Sequence, residues 1–392
     1  MRFLHTADWH VGRTIRGRSR REEFEAVLSE LVEIARSEAV ECLIVAGDIW
    51  DQRTASPDAD RLVYETLRRC NDHGIQVVLL AGNHDSPKKL EALGHISELI
   101  GVYTQPEVRR PDAGGILTVE GREHTARIAA VPFLTEGHYV SAGQLMDLPE
   151  QWFGSYADGC SHLLKAMCDR LPANTVNILT THLFVNGAQY ATRDGSEQLL
   201  HIGQAYGIPP QGLPATPQYI ALGHIHRPQR IAEAAAPTAY SGSLLQLDFG
   251  EVNDTKGVYI IDAAPGRPLN DLRFIELTAG RRLKEIRGSL DAVLAQAAAV
   301  GDAHVRVVLD VDRPEPGFAQ RVREQIPAAV DVRLDYPDLV TAAEERLAHL
   351  DPREQFVRYY RAQHAGVDPA TELLALFTEL YEEAHASEAV EV

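Results

Sequence analysis

The amino-acid sequence predicts an α/β fold with parallel strands, and three observations support this. In the first third of the chain, short apolar runs typical of buried strands alternate with longer segments. Those longer segments carry apolar residues at helical spacing, as in residues 22–38. Two helices are predicted to begin at Ser-Pro pairs, where Ser56 and Ser86 act as N-caps and each proline takes the first helical position. This alternation implies parallel strands joined by right-handed crossovers.

The remaining strands follow from the same kind of pattern. A long segment rich in glycine and proline, residues 186–217, is predicted to be a loop. Residues 135–175 are predicted to be mostly helical. The predicted strands are RFLHTAD, VECLIVAGD, IQVVLLAGNHD, RIAAVPF, TVNILTTH, QYIALGH, TAYSGSL, KGVYIID and LRFIEL.

The chain is long enough for more than one domain, and its pattern changes twice. Residues 1–279 carry the α/β alternation. Residues 280–337 read as a small separate α+β unit. Residues 338–392 contain helical segments only, two of which begin with proline. Three parts with these bounds are therefore expected.

Composition excludes several classes of protein. The formal net charge of −18 argues against indiscriminate binding to nucleic acid. No run of 18 apolar residues predicts a membrane span, and the first residues do not form a signal peptide. The four cysteines form no Cys-x-x-Cys pair, so buried thiols in a reducing compartment are expected. The sequence therefore predicts a cytoplasmic protein.

Five apolar runs end in side chains that can bind metal ions. Because the carboxyl ends of parallel strands converge on one crevice, we expect these side chains to form a single site. Oxygen and nitrogen donors are mixed and thiolates are missing, which suits Mn²⁺, Fe or Zn²⁺. The donors are Asp8, His10, Asp48, Asn83, His182, His224 and His226.

Seven donors are too many for one tetrahedral ion, and they fit two ions that share a carboxylate. Two ions about 3.5–4 Å apart can hold a phosphate oxygen, acidify a water and stabilise a leaving oxygen. Glycines precede Asp48, Asn83 and His224, and would let the backbone approach closely. Each donor alone has an ordinary structural explanation, such as a cap or an exposed turn. Their coincidence at five strand ends favours a metal site.

These residues resemble, in order and spacing, the motifs of the calcineurin-like metallophosphoesterases. Within that superfamily the chain is most similar to the SbcD nucleases, the break-repair branch, through LHTADWHVGR, VAGDIWDQ, LLAGNHDSP, THLFVNGA, ALGHIHRPQ and YSGSLLQLDFGE. The resemblance is strong over residues 1–280 and extends to the remainder by layout only. It implies a four-layer αββα sandwich with a small α+β capping domain and C-terminal helices.

The resemblance also assigns roles within the site. It implies one metal held by Asp8, His10, Asp48 and His226, and a second held by Asp48, Asn83, His182 and His224. His84 would act on the scissile phosphate without binding metal, and Asp85 would orient the His84 ring. Asp51 is a candidate supporting residue. The motif GNHD, where related phosphatases usually carry Glu after His, favours the nuclease branch.

The basic run after His10 has two interpretations. Alone it could be a solvated helix start. Beside a metal crevice it could grip phosphate backbones without sequence preference. The second interpretation predicts DNA contacts from Arg13, Arg16, Lys88, Lys89 and Arg193.

The family's other properties give further expectations. They imply a homodimer through helices near residues 57–72 and 87–99, in a two-plus-two complex with an SbcC-type coiled-coil ATPase. Amphipathic tails more often pack on their own domain. The residues expected to bind the ATPase are Phe356, Tyr359, Tyr360, Leu373, Phe377 and Leu380.

The function implied is a two-metal, Mn²⁺-dependent DNA nuclease associated with the nucleoid. The family acts as a 3′→5′ exonuclease on duplex ends and as an endonuclease at hairpins, in DNA repair, recombination and replication. No P-loop motif occurs in the sequence, so any ATP dependence would come from the partner. The alternatives are a metallophosphodiesterase for nucleotides or other small substrates, and a non-catalytic scaffold with a relic site.

Overall fold

The computed structural model describes residues 1–149, 154–190, 207–336, 352–364 and 367–388. The chain divides into two compact units. The first comprises Met1–Asp310 with Glu315–Leu334, and the second comprises Val311–Pro314 with Asp335–Val392.

The strands of the described residues lie mainly in the first unit. In chain order they are β1 (Arg2–Thr6), β2 (Thr14–Ile15), β3 (Arg18–Ser19), β4 (Cys42–Val45), β5 (Gln76–Leu80), β6 (Val102–Gln105), β7 (Ile116–Glu120), β8 (Thr125–Val131), β9 (Val176–His182), β10 (Tyr219–Gly223), β11 (Gln229–Arg230), β12 (Thr238–Tyr240), β13 (Gly257–Asp262), β14 (Asp271–Glu276), β15 (Leu283–Gly288), β16 (His304–Asp310) and β17 (Ala329–Asp335).

The helices of the described residues are shared between the two units. They are α1 (Arg21–Ser37), α2 (Pro57–Asp72), α3 (Pro87–Ser97), α4 (Glu136–Leu145), α5 (Tyr156–Cys168), α6 (Leu290–Leu294), α7 (Phe318–Gln325), α8 (Pro352–Gln363) and α9 (Thr371–Glu388). The two predicted Ser-Pro helix starts are confirmed. Ser56 accepts a hydrogen bond from the Ala59 N–H, and Ser86 accepts one from the Lys89 N–H.

Two six-stranded sheets form the centre of the first unit. The first has the order β14-β13-β1-β4-β5-β6, and the second has the order β11-β12-β10-β9-β8-β7. The strands β1, β4, β5 and β6 run parallel, and so do β8, β9, β10 and β12. The parallel pairing predicted from the strand–helix alternation in the first third of the chain is therefore confirmed in the first sheet, and the second sheet has a parallel core as well.

The two sheets pack face to face through a buried apolar layer. Phe3, Ile44 and Val78 of the first sheet share one core cluster with Ile128 and Ile178 of the second. A second cluster packs α1, α2 and α3 on the outer face of the first sheet, and a third packs α5 on the outer face of the second sheet. The layers are helix, sheet, sheet, helix, so the predicted αββα sandwich is confirmed.

A three-stranded sheet, β15-β16-β17, follows the sandwich within the first unit. Its attachment includes the small hairpin β2-β3, because Ile15 shares an apolar cluster with Phe249, Leu283 and Val330. The guanidinium of Arg306 also lies 4.3 Å from the centre of the Phe249 ring. The hairpin and the turn at Phe249 thus form the base on which this sheet packs.

In the second unit, the rings of Phe356 on α8 and Phe377 on α9 stack with centres 4.3 Å apart. These two helices also expose apolar side chains. Tyr359 is 65% exposed, Leu380 is 55% exposed, and Leu373 is 37% exposed. The helix pair therefore has a small aromatic contact of its own and an uncovered apolar surface.

Two further observations concern the sequence predictions. All four cysteines are buried free thiols, as expected. Among the described residues, none of the helices has the length and apolar character needed to cross a membrane.

Candidate metal centre

The candidate metal centre lies at the carboxyl ends of five parallel strands. Asp8 and His10 follow β1, Asp48 follows β4, and Asn83 and His84 follow β5. His182 is the last residue of β9, and His224 and His226 follow β10. Because the two sheets lie face to face, both contribute side chains to one crevice, as predicted.

The side chains meet around the carboxylate of Asp48. Its Oδ2 lies 3.5 Å from His10 Nε2 and 3.3 Å from His182 Nε2. Donor atoms of Asp8, His10 and His226 lie within 4.8 Å of one another, and so do those of Asp8, Asp48 and His182. Asp48 is therefore central to the group.

Asn83 joins the two histidines of the second sheet. Its Oδ1 lies 3.0 Å from His182 Nε2 and 3.1 Å from His224 Nδ1. The rings of His182 and His224 are 5.1 Å apart, and those of His10 and His226 are 4.9 Å apart. The structure thus brings all seven predicted donors together in two adjoining groups.

Contacts behind the rings fix which nitrogen faces the centre. His182 Nδ1 lies 2.8 Å from the carbonyl oxygen of Ala46, so Nε2 points at Asp48. His10 Nδ1 lies 3.4 Å from the Asp51 carboxylate, which likewise leaves Nε2 toward the centre. Such contacts set the tautomer of a metal-binding histidine. Asp51 thus lies close to the His10 ring, and its supporting role stays a prediction.

Glycine is required where the motifs approach one another. The predicted close approach is confirmed, since a Cβ atom at each of three glycines would collide with the site. It would lie 2.2 Å from His182 Nδ1 at Gly47, 2.1 Å from Asp48 Oδ1 at Gly82, and 1.9 Å from the Ala46 carbonyl oxygen at Gly223.

Four of the candidate ligands also have left-handed backbone conformations. The φ angles are 49° at Asp8, 47° at His10, 52° at Asp48 and 102° at His224. Such conformations cost about 1–3 kcal/mol each outside glycine and cluster at functional sites. The turns after β1, β4 and β10 therefore hold their side chains at the expense of local strain.

Burial dominates the electrostatics of the centre. It raises the pKa of Asp8 to about 6 and lowers the pKa of His224 to about 3. For His182, burial opposes protonation, but the nearby Asp48 carboxylate outweighs it and raises the pKa to about 9. Burial likewise opposes ionisation of Asp48, yet the surrounding histidines hold its pKa well below the usual range. An ionised Asp48 among imidazoles is thus the favoured state.

The donors fit divalent metal ions. Among the residues that the structure describes, neither nitrogen of the buried His10 ring has a hydrogen-bond partner, and Nε2 faces the centre. A buried nitrogen of this kind is costly unless something binds it. Carboxylate, amide and imidazole donors without thiolate suit Mn²⁺, Fe or Zn²⁺. Bound there, such ions would acidify a water and neutralise phosphate charge.

His84 lies at the edge of this group, where donor atoms of His84, His10 and Asp48 lie within 4.8 Å of one another, and it is held by Asp51. Its Nδ1 is 2.8 Å from the Asp51 carbonyl oxygen, and its ring centre is 4.7 Å from that of His10. The backbone N–H of His84 donates to Asp48 Oδ1 over 2.8 Å. With Nδ1 directed at a carbonyl, Nε2 is the nitrogen that remains for a substrate.

The predicted contact of Asp85 with the His84 ring is not what the structure has. The Asp85 carboxylate accepts hydrogen bonds from the backbone N–H groups of Ile49 at 3.0 Å, Trp50 at 3.1 Å and Gly82 at 2.9 Å. A buried carboxylate needs such donors, and the loop after β4 supplies them. Asp85 therefore joins the loops after β4 and β5, while a backbone carbonyl orients His84.

The residues predicted to contact DNA differ in their exposure and in their ion-pair partners. Lys88 is exposed. Arg13 pairs with Asp51 at 3.1 Å. Lys89 pairs with Asp60 and lies 3.9 Å from the centre of the Trp50 ring, while Arg193 falls outside the described residues.

Arg16 is the remaining predicted DNA contact, and it points toward the three-stranded sheet. It pairs with Asp331 at 3.2 Å and lies 3.7 Å from Asp248. Arg18 donates to the carbonyl oxygen of Pro327 over 3.0 Å. Arg20 is buried against Glu23 at 2.8 Å. Part of the basic run thus has structural partners.

Two residues of the site were not anticipated. Phe133 follows β8, and its ring centre is 5.8 Å from that of His224. Glu251 is buried, and its Oε1 lies 3.0 Å from His226 Nδ1. Burial opposes ionisation of Glu251, but Lys256 and His226 outweigh it and hold its pKa well below the usual value. In the sequence, Phe133 could have been found from its position at the end of a predicted strand. Glu251 could have been found as an acid between two apolar residues.

Comparisons with known proteins extend over most of the chain. Residues 1–228 match the family described as Calcineurin-like phosphoesterase, and residues 279–364 match the one described as Type 5 capsule protein repressor C-terminal domain.

Three similar curated proteins are named as the SbcD component of the nuclease SbcCD. That of Bacillus subtilis (strain 168) is 30% identical over 97% of this chain and 97% of its own. That of Rhodobacter capsulatus is 31% identical over 86% of this chain and 84% of its own. That of Escherichia coli (strain K12) is 28% identical over 96% of this chain and 97% of its own.

Proposed function

The chain belongs to the SbcD family of calcineurin-like phosphoesterases, and we propose that it is the metal-dependent DNA nuclease subunit of an SbcC–SbcD type complex. One observation carries this proposal: seven oxygen and nitrogen donors from five strand ends lie together, with the buried carboxylate of Asp48 at their centre. A centre of this kind suits hydrolysis of a phosphodiester.

Two divalent ions share the centre in this proposal. Asp8, His10, Asp48 and His226 hold the first. Asp48, Asn83, His182 and His224 hold the second. The assignment is supported by the position of Asp48 Oδ2 between His10 Nε2 and His182 Nε2, at 3.5 and 3.3 Å. Mn²⁺ is the proposed ion because the family resemblance implies it, and the mixed carboxylate, amide and imidazole donors are compatible with it.

His84 acts on the scissile phosphate without binding a metal. Its Nδ1–H donates to the Asp51 carbonyl oxygen over 2.8 Å, so Nε2 faces the substrate and is the proposed donor when the ring is the doubly protonated imidazolium. That group stabilises the charge that develops on the phosphate or protonates the leaving oxygen. Asp85 serves the reaction indirectly, because it holds the backbone of the neighbouring loops.

The DNA backbone is proposed to lie across the rim of the centre. Lys88 is exposed at the start of α3, where its side chain can contact a phosphate. Arg13 would leave its ion pair with Asp51 to bind a DNA phosphate, and Lys89 would leave its ion pair with Asp60. Arg16 is the least available of these cations because it also holds Asp331, and Arg193 belongs to the same proposed set.

The substrate and partners follow from the family. We propose 3′→5′ exonuclease activity on duplex ends and endonuclease activity at hairpins, in DNA repair, recombination and replication. The proposed assembly joins two copies of this chain with two SbcC-type ATPases. The uncovered side chains of α8 and α9, including Tyr359, Leu373 and Leu380, with Phe356, Tyr360 and Phe377 beside them, are the proposed contact with the ATPase.

A substrate comparison tests this function. The purified chain with Mn²⁺ is given end-labelled linear duplex, hairpin DNA and a cyclic nucleotide, each with and without an SbcC-type ATPase. The proposal expects cleavage of both DNA substrates and stronger cleavage with the ATPase and ATP. Turnover of the cyclic nucleotide with intact DNA would instead identify a small-molecule phosphodiesterase. No turnover of any substrate would indicate a non-catalytic scaffold.

A further inference from the structure

Two oppositely charged side chains lie buried behind one of the proposed metal ligands. Glu251 is 1% exposed and Lys256 is 3% exposed. Glu251 Oε2 lies 2.8 Å from Lys256 Nζ, and Glu251 Oε1 lies 3.0 Å from His226 Nδ1. The three side chains form a continuous chain of contacts from a cation through an acid to an imidazole.

The same two residues also hold the backbone around His226. Lys256 Nζ donates to the carbonyl oxygen of His226 over 2.7 Å. Glu251 Oε2 accepts the backbone N–H of Leu247 at 3.0 Å. The ring and the carbonyl of His226 are therefore fixed from one side by a single ion pair.

Burying such a pair is expensive, since each charge loses several kcal/mol of hydration and the pair often does no better than apolar residues would. Stability alone is thus a weak reason for it. A carboxylate behind a metal-binding histidine, however, fixes the tautomer and makes the ring a better ligand. His182, by contrast, is supported by the carbonyl oxygen of Ala46 at 2.8 Å.

We propose that Glu251 and Lys256 are positioning residues for the metal centre, in which Glu251 accepts the Nδ1–H of His226 and so presents Nε2 to a divalent ion. Lys256 pairs with the Glu251 carboxylate over 2.8 Å and holds the backbone carbonyl of His226. This inference rests on the proposed function, because it requires His226 to bind a metal. Neither residue touches the substrate in this account.

The chain offers a matched control for this proposal. Glu23 is also a buried acid, 8% exposed, placed between a cation and a histidine. Its carboxylate lies 2.8 Å from Arg20 and 2.8 Å from His304. None of these residues is a proposed metal ligand. Removing either acid breaks a buried ion pair, but only Glu251 is expected to affect metal binding.

Mn²⁺ binding to the purified full chain tests the proposal. Dissociation constants are measured by calorimetry for the wild type, Glu251→Gln, Glu251→Asp, Lys256→Arg and Glu23→Gln, with the Tm of each metal-free chain as a measure of folding. We expect Glu251→Gln to weaken the binding of one ion about 10- to 100-fold. Lys256→Arg should retain most of the affinity, and Glu23→Gln should lower Tm with Mn²⁺ affinity unchanged.

Two results would overturn the proposal. One is a Glu251→Gln chain that folds and binds Mn²⁺ as tightly as the wild type. The other is an equal loss of affinity in Glu23→Gln. If Glu251→Gln does not fold, Glu251→Asp takes its place in the test. Weaker Mn²⁺ binding by Glu251→Asp would support the proposal, and unchanged binding would contradict it. A chain that binds Mn²⁺ in the predicted order but cuts no DNA would contradict the proposed function and leave this inference standing.

Discussion

His182 and Asp48 connect the two sheets at the centre of the molecule. His182 ends β9 of the second sheet, and its Nε2 lies 3.3 Å from Oδ2 of Asp48, which follows β4 of the first. The opposite nitrogen of the ring is 2.8 Å from the Ala46 carbonyl oxygen, one residue before Gly47. The loop after β4 therefore both orients the imidazole and supplies the carboxylate that it faces.

Replacing Asp48 should abolish metal binding. Because Asp48 is proposed to bridge both ions, Asp48→Asn removes a charge from each site. We expect Mn²⁺ affinity to fall by about 100-fold or more, since even supporting residues cost 10- to 100-fold. Calorimetric titration with Mn²⁺ measures this. Asp51→Asn should have a smaller effect, and equal affinities in Asp48→Asn and the wild type would contradict a bridging role.

Replacing His84 should separate chemistry from metal binding. The side chain is proposed to act on phosphate through Nε2, so His84→Ala should lower the cleavage rate by about 10²- to 10⁴-fold. Mn²⁺ affinity should remain near that of the wild type, because His84 is not a proposed ligand. Single-turnover cleavage of duplex DNA measures the rate. Unchanged turnover would remove His84 from the mechanism.

Adding one methyl group at Gly82 should disrupt the centre. A Cβ there would lie 2.1 Å from Asp48 Oδ1, so the loops after β4 and β5 must separate. Overpacking of this kind destabilises a protein by about 1–3 kcal/mol. The matched change is Gly154→Ala, where no atom of the described residues lies within 4 Å of the added Cβ. Urea unfolding should show a loss for Gly82→Ala only; similar midpoints would contradict the close approach.

Cations at the rim should differ in their effect on DNA affinity. Lys88 is exposed and Arg13 is paired with Asp51, whereas Arg16 also holds Asp331. Lys88→Ala and Arg13→Ala should each reduce the slope of log affinity against log salt by about 1. Binding to duplex DNA at several salt concentrations measures this slope. Slopes identical to that of the wild type in both variants would exclude these residues from the interface.

The ionisation of Glu23 should make the stability of the folded protein depend on pH. Burial opposes its ionisation, but His304 and Arg20 outweigh burial and lower its pKa from 4.5 to about 2. The stabilisation is therefore complete above pH 4.5 and is lost as the pH falls toward 2. Wild type should exceed Glu23→Gln by roughly 2 kcal/mol at pH 7. In urea unfolding the gap should narrow between pH 5 and pH 3; a constant gap would contradict this.

Much of the sandwich was predictable because its signals are local. Buried parallel strands are continuous apolar runs, and the Ser-Pro pairs mark helix starts within a few residues. The convergence of Asp8, Asp48 and His182 followed from one geometric rule about parallel strands. The αββα layering came from the resemblance, since no spacing in the sequence specifies which sheet a strand joins.

The supporting contacts were not predictable, because they join distant parts of the chain. Arg16 and Asp331 are 315 positions apart, and nothing local indicates that they pair. The family resemblance implies that Asp85 orients its neighbour His84, but the chain turns the Asp85 carboxylate toward the loop after β4. Glu251 lies 25 positions after His226, so its role emerges only when the turn at Phe249 folds back.

Metal restoration on linear duplex DNA tests the central claim most directly. The purified chain is treated with a chelator, dialysed, and assayed on end-labelled duplex before and after addition of Mn²⁺, with His84→Ala in parallel. We expect no cleavage without metal, cleavage restored by Mn²⁺ in the wild type, and little cleavage in the variant. Cleavage that survives chelation, or that Mn²⁺ does not restore, would contradict a metal-dependent nuclease centred on Asp48.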